Sequence, residues 1–339
     1  MRIECPHCHK AYNIPEERIK KYGDHVAFPC PACKGRIEVH LGTETPQGVH
    51  PHRSTPQEPV GETLKKRILR TVSDLPPMPQ VAQKARELTM SDKSTFSDLA
   101  RLIETDQAIA ARVLKIANSS YYGVMGSVSS IQHASVVLGM KTLNELLTLA
   151  CASSLLGAEL KGYGMNAGDL WRHSLATAGC ARALATKKNP SLVDDAFSAG
   201  LIHDCGKLIL DRYILERKQA FEEFMKDGQR SFLEAEKKLL GFDHAEIAAE
   251  VCEKWQIPKK LIGPIQYHHT PSRLNSNELA HIVHAADAIA LMSGIGSGFD
   301  GMMYQIDPKA MEFLRLDSSQ ISVLMAETAD YVEKTLSSL

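Results

Sequence analysis

The sequence predicts an all-α helical domain preceded by a small metal-stabilised segment with short β strands. From Glu62 onward apolar residues recur at helical spacing, with no convincing period-2 alternation. Two Cys-x-x-Cys pairs crowd the first tenth of the chain. A stretch poor in large aliphatic side chains separates the two regions and cannot bury enough surface to offset chain entropy. The expected layout is therefore 1–40 for the cysteine segment, 41–61 for a flexible linker and 62–339 for the helical domain, the last divided near residue 160.

At 339 residues, 44% hydrophobic and 23% charged, the chain has a globular composition and length for two or three domains. A formal net charge of −1 leaves no global basic field to gather nucleic acid or an anionic membrane. No continuous apolar run approaches the roughly 18 residues of a membrane span, and the start, Met1-Arg2-Ile3-Glu4-Cys5, does not read as a signal peptide. A cytoplasmic protein is expected.

In the first segment, Cys5-Pro6-His7-Cys8 and Cys30-Pro31-Ala32-Cys33 stand 21 residues apart. Paired knuckles of this kind close a tetrahedral thiolate site for a structural zinc, and in so short a segment the ion must supply folding energy. The competing reading is a free-thiol redox pair. His7 and His9 are possible substitutes, although Cys5, Cys8, Cys30 and Cys33 already complete four-coordination. Tyr12-Asn13-Ile14-Pro15 and Arg36-Ile37-Glu38-Val39 fit short strands around the site. The segment resembles the zinc-ribbons found at the N-terminus of many bacterial proteins, which implies a structural or protein-docking module. Cys151, Cys180, Cys205 and Cys252 lie singly in apolar contexts and read as buried thiols.

In the helical domain Pro79 is placed to open a helix running to about Met90, and Thr95 with Asp98 makes a capping box for Phe96 to Glu104. Asp106 to Asn118 carries Ile109, Val113 and Ile116 at helical spacing, and Ile131 to about Gly157 reads as two helices around Gly139. Asp169 opens a long helix with His173 one turn later on the same face. Ser191 with Asp194 gives a further capping box, for a helix ending at His203-Asp204. Gly206 marks a stop or a close approach, and Lys207 is a compact cation suited to a phosphate oxygen.

The charged stretch Glu216 to Lys238 reads as a solvated amphipathic pair with Phe221, Phe224, Phe232 and Leu233 inward. Asp243 caps a helix that leaves His244 in its first turn, and His268-His269 follow a helix begun near Pro258. Ser276 or Asn277 starts a helix that buries Asp287 among alanines, where a carboxylate demands a partner. Ser318 to Leu336 puts Ile321, Leu324, Met325, Thr328 and Val332 on one side, for core closure or dimerisation. His284 taken singly is a hydrogen-bonded core or surface histidine. Gly294-Ile295-Gly296-Ser297-Gly298 follows a helix, so a phosphate-loop reading fails on context.

Several motifs in order, Leu75-Pro76-Pro77-Met78-Pro79, Ile103-Glu104-Thr105-Asp106, the run from Val113 to Gly123, Val137-Leu138-Gly139 and the His203-Asp204 stretch, resemble the HDOD family of helical output domains in bacterial signalling proteins. Gln107 stands where that family usually has proline. The related HD phosphohydrolases hold a metal with a His, a His-Asp pair and a distal Asp, which implies His173, His203, Asp204 and Asp287 here. The two-metal branch adds a carboxylate and three histidines, matched by Asp169, His244, His268 and His269. That branch also carries a Gly-Tyr-Pro loop, whereas Thr270-Pro271-Ser272-Arg273 follows His269 here. The resemblance thus implies one or two divalent ions (iron, manganese or zinc) and a signalling-protein partner or nucleotide ligand. Metal-dependent hydrolysis of a nucleotide or cyclic dinucleotide, with Lys207 neutralising charge, is the other outcome. Nucleic acid and membrane are not expected partners, and the oligomeric state is open.

Overall fold

The computed structural model describes residues 2–5, 10–13, 25–33, 35–40, 60–71, 84–85, 88, 94–118, 121–122, 128–274, 277–299 and 305–337. They fall in two compact units, Met1–Glu58 and Pro59–Leu339. In the first, β1 (Arg2–Glu4) pairs antiparallel with β2 (Ala11–Asn13), and β3 (His25–Pro29) with β4 (Arg36–His40). The Cys5 N–H donates to Lys10 O at 3.0 Å and the Cys30 N–H to Gly35 O at 2.7 Å. Cys5 and Cys30 therefore each follow the first strand of a hairpin, and Cys30 to Cys33 lie at the turn of the second. The second strand of each hairpin was legible; β1 and β3 were not, since three to five residues give too few alternations to register.

The expected linker, apart from residues 60 and 61, lies outside the described residues. So does most of the helix expected from Pro79 to Met90, of which 84–85 and 88 are helical. The second unit begins with α1 (Glu62–Thr71), burying Leu64 and Ile68 one turn apart. Next, α2 (Phe96–Glu104) starts with the expected capping box: Thr95 Oγ1 accepts from the Asp98 N–H, and Asp98 accepts from the Thr95 N–H at 2.9 Å. In α3 (Gln107–Ala117) Asp106 accepts from the N–H groups of Ala108 and Ile109, so the helix starts normally without a proline.

Gly139 breaks α4 (Ile131–Leu156), with φ 80° and ψ 166°, into the two helical pieces that the sequence indicated. This element is long and apolar enough to cross a membrane by length and composition, although polar residues interrupt its apolar run. Its Leu143, Leu146, Leu147 and Leu149 are fully buried, and the helix packs on α2 and α3 as a core helix does.

The rest of the unit is arranged around α5 (Asp169–Lys188), against which α6 (Val193–Ile202), α12 (Glu278–Met292) and α14 (Ser318–Leu336) pack. Between α6 and α12 come α7 (Lys207–Glu216), α8 (Lys218–Met225), α9 (Phe232–Leu239), α10 (His244–Lys254) and α11 (Lys259–Gln266). The short α13 (Pro308–Leu314) precedes α14. On α14 the buried side is Leu324, Thr328, Tyr331, Val332 and Thr335, so this helix closes the core against α5. Ion pairs from Lys65 to Glu246 (3.5 Å) and Glu250 (3.4 Å) tie α1 to α10.

One expected cap does not form. Asn189, not Ser191, accepts the first N–H, and Pro190 with its fixed φ opens a 3-10 turn over Pro190–Leu192, leaving α6 to start at Val193 without a side-chain cap. The four single cysteines are buried as expected, and burial pushes the Cys151 and Cys180 thiols up to about 12.

Candidate metal centre

In the hairpin unit Cys5, Cys30 and Cys33 bring their sulfurs together, with Cys5 Sγ and Cys33 Sγ 3.6 Å apart. Cys8, the fourth expected ligand, lies outside the described residues. The Tyr12 hydroxyl, 3.2 Å from Cys30 Sγ, lowers that thiol to about 6, toward the thiolate that zinc requires. Full-length Cys30→Ser protein is expected to lose amide-exchange protection over residues 2–40 while keeping it in α5 and α12. Protection retained over 2–40 in the variant would contradict a structural zinc.

In the helical unit, α5 supplies His173, the junction after α6 supplies His203 and Asp204, α10 supplies His244, the turn after α11 supplies His268 and His269, and α12 supplies Asp287. Five segments distant in sequence thus converge. His173 Nε2 lies 3.0 Å from Asp287 Oδ1 and 3.5 Å from Asp204 Oδ2. His203 Nε2 is 3.5 Å from each of the same two oxygens. The other Asp204 oxygen, Oδ1, faces His244 Nε2 at 3.2 Å and His268 Nε2 at 3.7 Å. His269 Nε2 lies 2.8 Å from His244 Nε2, and its Nδ1 is 3.9 Å from Asp287 Oδ2. Asp204 therefore stands between two groups of histidines with one oxygen toward each.

The tautomers follow from the outward partners. His203 Nδ1 donates to Gly200 O at 2.8 Å, His268 Nδ1 to Ile265 O at 2.7 Å and His244 Nδ1 to Glu236 Oε2 at 2.7 Å. Nε2 is then the nitrogen that each ring aims inward, and the one it can offer to a cation. The Nε2 atoms of His173, His203 and His268 are buried and make no hydrogen bond. A buried polar atom left so costs about 1–3 kcal/mol, and several converging on one point fit a cation.

Burial pushes His268 down to about 3 and His269 below its ordinary value, keeping both neutral. For Asp204 and Asp287 burial acts upward but is outweighed, by His203 and Lys207 at the first and by His173 and His203 at the second, so both stay ionised. His203 and His244 are desolvated too, yet Asp204 and Glu236 respectively hold them above the ordinary value, so an ion binding there displaces protons. Imidazole and carboxylate together suit zinc, iron or manganese.

Two expected site residues have other partners than those read for them. The Asp169 carboxylate accepts from the Asn166 N–H at 2.7 Å and Asn166 Nδ2 at 3.1 Å, holding the start of α5 instead of joining the cluster. Lys207 is 3% exposed and its ammonium lies 2.9 Å from Asp204 Oδ2, so a carboxylate occupies the place read for a phosphate oxygen. His284 is the hydrogen-bonded core residue expected, donating to His268 O and accepting from the Asp307 N–H. The stretch read as solvated hides one buried acid, Glu236, at 0% exposure. Its signal was its position four residues after Phe232, on the inward face of α9.

Gly206 makes the cluster sterically possible. A Cβ there would overlap the carbonyl oxygen of His244, so the missing side chain lets α10 start directly against the turn that carries Asp204.

Comparison with known proteins agrees with this architecture. The chain is similar to a solved HDOD domain protein of unknown function from Geobacter sulfurreducens, at 22% identity and TM-score 0.67, over 81% of this chain and 96% of that one. It is also similar to a candidate signal transduction protein from Marinobacter aquaeolei VT8, at 22% identity and TM-score 0.63, over 81% of this chain and 64% of that one. At such identities the likeness shows the fold. An uncharacterised protein of Treponema pallidum (strain Nichols) is 24% identical over 207 residues, 61% of this chain, which spans only 40% of the relative's length. The zinc-ribbon domain model matches residues 1–38, and the HDOD domain model matches residues 75–271, more than half of the chain. Carrying a zinc-ribbon ahead of its helices, the chain belongs to the HDOD domain family.

Proposed function

We propose that the helical domain is a metal-holding regulatory module of a cytoplasmic bacterial signalling protein, and that the ribbon contacts a macromolecular partner. The observation that carries this reading is Asp204, with Oδ2 toward His173 and His203 and Oδ1 toward His244 and His268. A carboxylate so placed can bridge two divalent ions. Binding without turnover is favoured by burial: the cluster side chains are at most 8% exposed, and the nearest ammonium, Lys207, is already paired. The solved relative described as a candidate signal transduction protein supports the same reading.

A second reading, metal-dependent hydrolysis of a nucleotide or cyclic dinucleotide, is favoured by the two-sided donor set. Paired divalent ions supply Lewis acidity and an activated water to phosphoryl transfer. On that reading this chain's own contribution would be to hold the ions through His173, His203, Asp204, His244, His268, His269 and Asp287, with Asp204 ionised by Lys207 beside it.

Elemental analysis of the full-length protein tests the first reading: more than the single zinc of the ribbon per chain is expected. One zinc and nothing else would sink both readings. A panel of phosphodiesters and nucleotides then separates them. Metal-dependent product release would establish the hydrolase, and ligand retention without turnover the regulatory module.

A further inference from the structure

We infer that Glu236 is a positioning residue for the His244 side of the centre, fixing that imidazole as its Nδ1–H tautomer and turning Nε2 toward Asp204. The inference rests on the metal-holding reading and deepens it.

The carboxylate is fully buried and uses both oxygens. Oε2 accepts twice from the same residue, from the His244 backbone N–H at 3.1 Å and from its ring Nδ1 at 2.7 Å. Oε1 accepts from the Tyr163 hydroxyl at 2.5 Å. Gripping His244 by ring and backbone together leaves the imidazole little freedom of rotation, and its Nε2 lies 3.2 Å from Asp204 Oδ1.

His244 differs in this from the other histidines of the cluster. His203 and His268 donate Nδ1–H to carbonyls three residues earlier in their own turns, Gly200 O and Ile265 O, so their orientation comes with the local backbone. His244 instead takes its orientation from a side chain on another helix, α9. A carboxylate behind an imidazole also makes it a stronger donor than a carbonyl does, and loss of such a partner typically costs 10–100-fold in metal affinity.

Tyr163 extends the arrangement. It is 1% exposed, its ring lies 5.2 Å from that of Phe232, and the Lys207 ammonium sits 5.5 Å from its centroid. The segment between α7 and α10 supplies no donor to the cluster itself. Through Glu236 it holds one in place.

The test uses full-length protein, stripped and titrated with cobalt(II) against a competing chelator, in wild type, His244→Ala, Glu236→Gln and the double variant Glu236→Leu with Tyr163→Phe. Glu236→Gln keeps shape and hydrogen bonding without the charge. The double variant replaces the buried polar pair with apolar groups and leaves no orphaned hydroxyl. Expected is a 10–100-fold weaker uptake of one ion in the double variant and about tenfold in Glu236→Gln, with the other ion held as in wild type and the pattern resembling His244→Ala. A 15N spectrum of the stripped protein should show a proton held on His244 Nδ1 in wild type and its loss in the double variant.

Unchanged affinities would overturn the inference while leaving the metal-holding reading intact. So would equal weakening of every ion, which is the mark of a merely structural role. A wild type that takes up nothing beyond the ribbon zinc overturns both.

Discussion

Replacing Asp204 with alanine is expected to remove every ion held by the helical domain and to leave the ribbon zinc in place. Asp204 lies within 3.2–3.7 Å of four imidazole nitrogens, two in each histidine group, whereas Asp287 reaches the second group only through His269 at 3.9 Å. Losing it takes a donor from both positions at once. His173→Ala, by contrast, removes a ligand from one side and should spare the His244, His268 and His269 group.

The same substitution strands Lys207, buried at 3% exposure with Asp204 at 2.9 Å. Breaking a buried ion pair from one side costs on the order of 3–5 kcal/mol, so a lower melting temperature is expected even in a chelator. Asp204→Ala with Lys207→Met removes both charges and should recover much of that stability but none of the metal. Elemental analysis together with thermal unfolding separates the two effects. Metal retained by Asp204→Ala at the wild-type ratio would refute the bridging assignment.

How much of this was legible depended on how local each signal was. His203 and Asp204 stood out because adjacent ionisable residues in an apolar run need a partner, and Asp287 stood out among alanines for the same reason. That His173, on α5, meets Asp287, on α12, could not come from spacing, since the contact depends on how the two helices cross; family resemblance brought them together. Glu236 was missed because a charge in a charged stretch looks solvated, although its place four residues after the inward Phe232 put it on the buried face. The capping box at Thr95 was read correctly from four residues, whereas the one at Ser191 failed because Pro190 tightened the chain first. Lys207 was read as a compact cation suited to a phosphate oxygen because sequence does not say whether its ammonium turns back on the carboxylate three residues earlier.

Gly206→Ala is expected to have the largest effect of any single methyl group added near the site. The backbone at Gly206 is ordinary, with φ −62° and ψ −28°, so alanine meets no conformational penalty there. The penalty is contact. The new Cβ would overlap the His244 carbonyl oxygen and come within 2.7 Å of the Ala248 nitrogen, both backbone atoms of α10. Backbone inside a packed helix cannot swing aside as a long side chain would, so α10 must move as a body. Overpacking of this kind costs about 1–3 kcal/mol. The displacement falls on His244, whose Nε2 must stay near Asp204, so the ion on that side should be lost at concentrations that saturate wild type. Gly263→Ala provides the contrast: its Cβ would lie 3.4 Å from a Leu274 methyl, an ordinary contact, and Pro264 next to it offsets the helical preference for alanine. That variant should keep its metal content unchanged and melt closer to the wild-type temperature than Gly206→Ala does. Equal melting temperatures and metal contents for the two variants would mean that the approach of α10 to Gly206 does not hold the centre together.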